Sequence, residues 1–448
     1  MVVLLNLPAP SDECNAYNTI PYSQKSKVLG EKCYCNHRKT KVHFHSTRLL
    51  FKQAMEETKV FPPPKRLKVE SKVDAANTNI VPAIDHHASI SQQLTTLNSK
   101  SIKQGNGSSD LKEDYCFTEN ELENNDTNYF KCYADLSIHR VMIGDYSRTQ
   151  TYRKAILSNY KMFHQKVVLD VGAGTGILSL FCAQAGAKKV YAIEASSIAN
   201  EARKVVASNG YSDRIVVMQE KMEDAELPEK VDIIVSEWMG YMLMYESMLP
   251  SLLLARDKWL KKDGNLFPEE VRIYISPISD PQEYEYSVEF WKKVEDAYKV
   301  DMSALAQTAA EQMRETVHVI SVDPASIQSH SSCVTVMDLG TVSQIGSECA
   351  QGSFKCSCFG RKVIHGFVIW FTVHFPNNVI LSTSPYDRET HWEQSVLYIP
   401  PAHVEQDTLV TGKLWIRRGE IYHRFLDIDL EYQVGNGDKR KMKYKMKD

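Results

Sequence analysis

The stretch VVLDVGAGTGILSLFCAQAGAKKVYAIEAS, residues 167–196, contains the pattern that decides the fold. Residues 167–171 are a continuous apolar run that ends at glycines, as a buried parallel strand does. A helical segment follows at residues 177–185, and a second apolar run follows at residues 190–193. Strand, helix and strand in this order predict one unit of a doubly wound α/β layer.

The same alternation extends from residue 126 to residue 267. Helices are predicted at residues 129–163, 199–209 and 248–259, and strands at residues 215–218, 231–235 and 265–267. After Pro268 helices become scarce, apart from an amphipathic stretch at residues 282–310. Short β-branched and aromatic runs then predict an antiparallel barrel or sandwich: residues 317–321, 332–338, 355–358, 366–375, 396–399, 411–416 and 425–432.

Residues 1–125 show little sustained periodicity and are predicted to be a largely disordered extension, with a short helix near residues 46–55. PPPKRLKV, residues 62–69, is a short basic cluster behind a run of prolines. Such a cluster can be a nuclear import signal or a solvated basic linker. The Cys and His residues of segment 31–45 lack the spacing of common zinc modules, so we predict no metal site.

Composition places the chain among ordinary globular proteins, with 43% hydrophobic and 24% charged residues in a length of 448. No run of 18 apolar residues is present, so no membrane partner is expected. The ten cysteines are irregularly spaced, as expected of reduced thiols inside a cell. Residues 1–110 contain 15 basic and 9 acidic residues, which is a net charge of +6. Because the whole chain has a net charge of −3, the remaining residues have a net charge of −9. An acidic body suits a cationic substrate, although it commonly means only solubility.

The glycine loop at residues 172–176 follows a buried strand and opens a helix, where backbone N–H groups can approach a ligand closely. Ile177 stands where the dinucleotide fingerprint needs Gly or Ala. The loop therefore suits a ligand with an amino-acid carboxylate better than one with a pyrophosphate. Glu194 ends the next strand and could accept two ribose hydroxyls, or be an exposed strand-end acid. Glu223, after the third strand, could meet an adenine edge, with equal weight for a solvated acid.

Two acids lie on one loop that follows the strand at residues 231–235. Glu237 directly follows that strand, and Glu246 precedes the next helix. Ligands of doubly wound sheets bind at this edge, so the two carboxylates could face each other across a cation. From spacing alone, two solvated loop acids are at least as good an interpretation.

Several segments resemble the protein arginine methyltransferases. SEWMGYMLMYESML, residues 236–249, is similar to their double-glutamate loop, and residues 168–196 are similar to their cofactor loop. Thr390-His391-Trp392 resembles their substrate loop, and residues 129–148 resemble the N-terminal helix that closes over their cofactor. The resemblance covers about residues 126–448, with the motifs in the family's order.

This resemblance implies an α/β fold, in which a Rossmann-type class I methyltransferase domain at residues 126–267 precedes an antiparallel β-barrel at residues 268–448. The segment at about 282–310 would be a dimerisation arm, which implies a homodimer. The methyl donor would be S-adenosyl-L-methionine, leaving S-adenosyl-L-homocysteine, without a metal. A type I enzyme of this family forms monomethyl- and asymmetric dimethylarginine on proteins.

The resemblance also implies site residues. The cofactor would contact His139, Met142, Arg148, Gly172, Gly174, Glu194 and Glu223, with Arg148 on its carboxylate. The catalytic residues would be Glu237, Glu246, His391 and Asp145, of which His391 and Asp145 would pair across the two domains. The substrate would contact Tyr129, Tyr133, Met239 and Trp392, and the methionines Met142 and Met239 would limit the product geometry.

One departure from the family concerns its His-Glu-Glu-Met motif, which here is His139-Arg140-Val141-Met142. Arg140 and Val141 would weaken the negative field at a site for a cation, which bears on substrate affinity. Two rival functions stay open: a methyltransferase for small molecules or nucleic acid, and a coregulator or scaffold that keeps the fold. The expected partners are histones and Arg/Gly-rich proteins in the nucleus, with the cytoplasm as a second compartment and no direct nucleic-acid contact.

Overall fold

A computed structural model describes residues 119–420 and 422–447, with the backbone alone at residues 119–125. The predictions for residues 1–118, including the helix at 46–55 and the basic cluster at 62–69, lie outside the described residues. The first described helix begins at Glu119, ahead of the boundary predicted at residue 126.

The N-terminal part consists of helices where one helix was predicted at residues 129–163. They are α1 (Glu119–Tyr133), α2 (Leu136–Gly144), α3 (Tyr146–Ser158) and α4 (Tyr160–Phe163). The single-helix prediction is wrong because two aspartates divide it. Asp135 accepts a hydrogen bond from Ser137 N, and Asp145 accepts one from Arg148 N. Short polar side chains of this kind cap a new helix and so interrupt the preceding one.

A five-stranded parallel sheet follows, in the order β3-β2-β1-β4-β5. Its strands are β1 (Val167–Val171), β2 (Lys189–Ile193), β3 (Ile215–Met218), β4 (Val231–Ser236) and β5 (Leu260–Phe267), and the helices between them are α5 (Ile177–Gln184), α6 (Ala199–Ser208) and α7 (Leu249–Trp259). The predicted α/β layer is confirmed, although β5 begins five residues before the predicted 265. Because the strands are parallel, β1, β2 and β4 end at one edge, and the reversal of strand order beside β1 opens a crevice there.

The second part, which we call the β domain (residues 268–447), consists of antiparallel sheets. One sheet has the order β7-β12-β10-β6-β8, with β11 beside β10, and the other has the order β15-β14-β13-β9. The strands are β6 (Glu270–Ile278), β7 (His318–Ile320), β8 (Ser332–Asp338), β9 (Cys349–Ser357), β10 (Lys362–Phe375), β11 (Val379–Ser382), β12 (Gln394–Val404), β13 (Leu409–Arg418), β14 (Leu426–Val434) and β15 (Arg440–Met446). Strands β6, β11 and β15 were missed, because Pro277 interrupts the first, the second is short, and basic residues alternate along the third.

The amphipathic stretch predicted at 282–310 forms a helical excursion between β6 and β7. It contains α8 (Pro281–Tyr284), a π-helical turn (Glu285–Glu289), α9 (Phe290–Tyr298) and α10 (Leu305–Met313). Val288, Ala310 and Met313 pack with Trp370 and Tyr398 of the β domain in a second, smaller core. We call this excursion, residues 281–313, the arm.

The main core is continuous from the parallel sheet into the β domain. Tyr152 of α3 packs edge-on against Phe375 of β10, with ring centroids 4.9 Å apart. Within the α/β layer, Phe163 packs against Phe267 in the same way, also at 4.9 Å. This packing fixes the β domain against the edge of the sheet where the strands end. In the part of the chain that the structure describes, no helix has the length and apolar character needed to span a bilayer.

Candidate active site

The glycine loop joins β1 to α5 through three residues with left-handed backbones. The φ angles are +73° at Gly172, +55° at Gly174 and +87° at Gly176. A Cβ at Gly172 would lie 2.3 Å from Cε of Met248, so the loop has no room for a side chain there. Glycine is the residue that adopts this conformation without steric cost. The loop therefore presents bare backbone at the N-terminus of α5.

Glu194 lies at the end of β2 with its carboxylate turned toward the glycine loop. One oxygen accepts Gly174 N at 2.9 Å, and the other accepts Ser196 N at 2.7 Å. The side chain is buried, with 8% exposed, so the sequence alternative of an exposed strand-end acid is wrong. Glu194 ties the loop to β2 and keeps acceptor capacity on both oxygens.

The acidic loop, residues 237–248, leaves the end of β4 beside the glycine loop. Glu237 and Arg148 are 7% exposed in their side chains, and Nη2 of Arg148 lies 2.7 Å from Oε2 of Glu237. Nε of Arg148 donates to the same oxygen at 2.9 Å. The sequence predicted that Arg148 contacts a cofactor carboxylate and that Glu237 contacts a guanidinium. The structure shows that Glu237 can bind a guanidinium, and that Arg148 supplies one here.

Glu246 is held from the first helix. The Tyr133 hydroxyl donates to Oε2 of Glu246 at 2.5 Å. Burial, followed by the negative charge of Glu246, raises the pKa of Tyr133 well above its usual value, so the phenol stays protonated as the donor. The backbone of Glu246 has a φ of +74°, and that of Ser247 has a φ of +55°. Non-glycine residues adopt this region only where their surroundings hold them there.

Trp392 of the β domain supports the acidic loop through a hydrogen bond to its backbone. Its ring is 3% exposed, and its indole N–H donates to the carbonyl of Met239 at 2.9 Å. The Tyr152 hydroxyl donates to the carbonyl of Ser236 at 2.9 Å and lies 3.9 Å from the Met239 sulfur. In this structure Trp392 is buried and supports the loop, and the predicted contact of Trp392 with substrate stays a prediction. Met239 is itself buried at 5%.

Asp145 and His391 form the predicted contact between the α/β layer and the β domain. Oδ2 of Asp145 lies 2.7 Å from Nδ1 of His391 and accepts the His391 backbone N–H at 2.9 Å. Burial would raise the pKa of Asp145, but the hydrogen bonds from His391 and Arg148 N outweigh it and lower the pKa. The carboxylate therefore stays ionised and orients the imidazole.

Of the remaining predicted residues, His139 lies beside the glycine loop, whereas Met142 and Glu223 make their contacts elsewhere. His139 is buried and its Nε2 lies 2.9 Å from the Tyr133 carbonyl, while its Cε1 would be 3.0 Å from a Cβ at Gly174. The carbonyl of Met142 accepts a hydrogen bond from Arg148 at 3.3 Å. Glu223 is exposed and accepts the Ser251 hydroxyl at 2.5 Å.

Two residues that sequence reasoning missed belong to this site. Met248 lies against Gly172, and Arg424 of the β domain binds Glu246. Met248 stands only two positions after Glu246 in the chain, so the sequence itself indicated that Met248 lies near the site. No such signal existed for Arg424, which is 178 positions away from Glu246.

These residues fit an adenosine-bearing cofactor with an amino-acid group. A cradle of bare backbone, which a Cβ at Gly172 would fill, lies beside a buried acid that ends the adjacent strand. Among the described residues, no group of three or more His, Cys, Asp or Glu side chains is arranged to bind a metal ion. A parallel sheet in this order, with this loop and this acid, defines a Rossmann-type methyltransferase.

Comparisons with known proteins indicate which family of Rossmann-type methyltransferases this chain resembles. Residues 269–437 match the arginine methyltransferase oligomerization subdomain, and residues 148–254 match the ribosomal protein L11 methyltransferase family. The chain is 45% identical over 330 residues to protein arginine N-methyltransferase 6 of Xenopus tropicalis, covering 73% of this chain and 97% of that protein. It is 47% identical over 325 residues to the Danio rerio protein of the same name, covering 71% and 93%.

A solved structure agrees. The Trypanosoma brucei PRMT1 enzyme–prozyme heterotetrameric complex with AdoHcy matches with a TM-score of 0.65 and 33% identity, covering 70% of this chain and 99% of that one. The chain belongs to the protein arginine N-methyltransferase family. Its methyl donor is accordingly S-adenosylmethionine and its acceptor is arginine. Three segments resemble the family's sixth member, which is the name that both relatives carry: FKCSCFGRKVIHGFVIWF at residues 354–371, LSTSP at 381–385 and VEQDT at 404–408.

Proposed function

We propose that this protein is a type I enzyme, which forms monomethyl- and asymmetric dimethylarginine on histones and other Arg/Gly-rich nuclear proteins. The observation that carries the proposal is the acidic loop, where Glu237 binds a guanidinium group and Glu246 is held by Tyr133. Bound S-adenosylmethionine supplies a methyl group on a sulfonium, which is already activated for transfer. The protein then has to hold a guanidinium nitrogen in line with that methyl.

The carboxylates act by orientation and charge. A glutamate with a pKa of about 4 would have to overcome about 11 kcal/mol to deprotonate a guanidinium with a pKa above about 12. Glu237 and Glu246 therefore hold the cation and aim one nitrogen toward the methyl. Alkylation ends the conjugation of that nitrogen and makes its proton acidic. Glu246 or His391 then accepts the proton after methyl transfer.

Product geometry follows from the residues beside the acids. Met239 is buried at the start of the acidic loop, and Met142 lies on α2 with its carbonyl bound to Arg148. Side chains of this length beside the acceptor nitrogen would favour a second methyl on the same nitrogen. This supports the asymmetric product over the symmetric one.

Exposed apolar residues support a homodimer. On α2 and α3, Leu136 is 61% exposed, Val141 57% and Tyr146 56%. On the arm, Tyr286 is 50% exposed and Tyr298 75%. Apolar groups clustered at a surface commonly mark an interface. A closed pair of copies, with each arm on the other's helices, would cover both sets.

Arg140 and Val141, which stand where the family has two acids, are the residues that raise the alternative of a catalytically weak coregulator or scaffold. Both side chains are exposed on α2, where solvent screens the Arg140 charge. The acids Glu237 and Glu246 are held by other residues. The exposure of Arg140 therefore favours the enzyme over the scaffold. A nuclear location rests on the sequence cluster at 62–69 alone.

The test is to incubate the purified chain with labelled S-adenosylmethionine and histones, and to separate the methylarginines after acid hydrolysis. We expect labelled monomethyl- and asymmetric dimethylarginine. Symmetric product would contradict the type I assignment. Retained histone binding without transfer would favour the scaffold. Transfer of label to nucleic acid offered in a parallel incubation, with none to histones, would favour the other enzymatic rival.

A further inference from the structure

Arg424 lies between β13 and β14 of the β domain, yet its side chain ends inside the active site. Only 12% of the side chain is exposed. Nη1 donates to the carbonyl of Glu246 at 2.7 Å. Nε and Nη2 both donate to Oδ1 of Asp126 on α1, at 3.0 Å and 2.7 Å. One guanidinium thus connects the β domain, the acidic loop and the first helix.

The same residue holds the other backbone group of Glu246. The Glu246 N–H donates to the carbonyl of Arg424 at 2.9 Å. The φ of +74° at Glu246 is an unfavourable conformation for a residue with a side chain. Such a conformation persists where contacts compensate for it, and Arg424 supplies contacts to both the N–H and the C=O. The direction of the Glu246 carboxylate depends on this backbone.

The plane of the guanidinium also packs on α1. Its central carbon lies 3.7 Å from the centroid of the Tyr129 ring, within the range of a cation–π contact. One helical turn further on, Tyr133 donates its hydroxyl to the Glu246 carboxylate at 2.5 Å. Helix α1 therefore reaches Glu246 twice, through Tyr133 directly and through Arg424.

We propose that Arg424 is a positioning residue that makes the catalytic conformation of Glu246 depend on the docking of α1. When α1 lies over the site, Asp126 and Tyr129 fix the guanidinium, and the guanidinium fixes the Glu246 backbone. When α1 is released, Arg424 loses two of its contacts and Glu246 loses the hydrogen bond from Tyr133. The inference rests on the proposed role of Glu246 in binding the acceptor arginine.

The role requires arginine in particular. A lysine ammonium can reach one acceptor as a point charge, whereas the guanidinium donates in two directions from one plane and stacks through its face. Asp126 is also 3.3 Å from His423 and 3.4 Å from Lys221. Burial tends to raise the pKa of Asp126, but the charges of Arg424, His423 and Lys221 lower it overall. The acid is thus ionised at neutral pH, so the link does not depend on a proton.

The test compares Arg424→Ala and Arg424→Lys with wild type and with Arg417→Lys as the matched control. Arg417 lies near the end of β13, before the loop that carries Arg424, and it pairs with Asp429 of β14. We expect kcat on a histone peptide to fall about 10- to 100-fold in both Arg424 variants, because a small misplacement of a substrate-orienting group has effects of this size. The control should keep wild-type kcat.

A second readout separates positioning from structural damage. Hydrogen exchange of the backbone at residues 126–133 is measured with S-adenosylhomocysteine present. Faster exchange there in the Arg424 variants, at an unchanged melting temperature, is the expected result. Asp126→Asn should accelerate exchange in the same way, and Arg424→Ala with Asp126→Asn should lower kcat no further than Arg424→Ala alone.

Three outcomes would overturn the proposal: unchanged kcat in Arg424→Ala, a loss of kcat with unaltered exchange at 126–133, or additive losses in the double variant. Because every comparison is made relative to the methyl transfer by wild type, a failure here is distinct from an inactive wild type. Inactivity of wild type would contradict the proposed function itself.

Discussion

The glycine loop and the acidic loop both carry left-handed backbones, yet they obtain them differently. In the first, the positive φ angles fall on Gly172, Gly174 and Gly176. In the second, they fall on residues with side chains, including Met242, Leu243, Glu246 and Ser247. Glycine adopts this conformation without help, whereas the other residues need neighbours to impose it.

Contacts from distant parts of the chain provide this help to the acidic loop. Trp392 binds the Met239 carbonyl and Arg424 binds the Glu246 backbone, both from the β domain. Tyr133 binds the Glu246 carboxylate from α1. The cofactor half of the site is therefore built from residues close together in the chain, while the substrate half depends on tertiary contacts. Substitutions can therefore damage one half and spare the other.

The largest effect is expected from Glu237→Gln. Loss of the charge on a group that binds and orients a cation should lower kcat about 10²- to 10³-fold. The affinity for S-adenosylhomocysteine, measured by calorimetry, should change little, because the glycine loop is intact. Glu226→Gln, which alters an exposed acid paired with Lys258, is the control. Full turnover by Glu237→Gln would refute its catalytic role.

A pH effect on stability is expected from Asp170, which lies in β1 directly before the glycine loop. Asp170 is fully buried, and burial raises its pKa from 3.8 to about 7 in spite of hydrogen bonds from Ser179. Because the folded-state pKa is the higher one, the folded state binds more protons between pH 4 and 7. The free energy of unfolding therefore falls as the pH rises through this window, by up to about 4 kcal/mol from this group.

Asp170→Asn should remove this contribution while keeping the local shape. Urea unfolding of both proteins from pH 4.5 to 8 gives the measurement, and the difference between them isolates the group from others that titrate. We expect the free energy of unfolding of the variant to increase relative to that of wild type as the pH rises. A difference that stays constant across the window would show that Asp170 is ionised throughout.

Gly172→Ala should weaken cofactor binding about 100-fold, since the added Cβ would lie 2.3 Å from Met248 Cε and displace the loop. Gly210→Ala is a matched control, because Gly210 has a similar φ of +74° but no atom within 4 Å of its added Cβ. An alanine strains the backbone at either position, but only at Gly172 does its Cβ displace the loop that binds the cofactor. Equal dissociation constants for S-adenosylhomocysteine would mean that this approach of the loop is unimportant.

The smallest effect is expected from Trp392→Phe, which removes the hydrogen bond to Met239 and keeps the apolar packing. We expect about a 10-fold loss of kcat, because a buried carbonyl loses its donor and the acidic loop relaxes. Trp259→Phe is the control, since the indole N–H of Trp259 has no hydrogen-bond partner in the described part of the chain. If Trp392 contacts substrate instead, the KM for peptide should rise while kcat stays the same.

Much of this molecule was predictable from short-range patterns. Strands β1 and β3 have the predicted bounds, because buried parallel strands read as unbroken apolar runs. The acids Glu194 and Glu237 were found because each directly follows a recognisable strand, and Glu246 was found because it lies on the same loop as Glu237, just before a helix. The helix breaks at Asp135 and Asp145 were missed, since a capping role depends on where the chain turns. Strand β15 was missed because its basic residues obscure the buried Tyr444 and Met446.

By itself, the sequence determined the order of strands and helices, the glycine loop and the presence of two acids after β4. These features depend on interactions between residues close together in the chain, so local composition encodes them. Only the tertiary structure decided that Glu237 binds Arg148, that Trp392 is buried beneath the acidic loop and that Arg424 holds Glu246. Those contacts join residues about 90 to 180 positions apart. Packing of α3 against the parallel sheet brings Arg148 to Glu237, and packing of the β domain against the sheet edge brings Trp392 and Arg424 to the acidic loop.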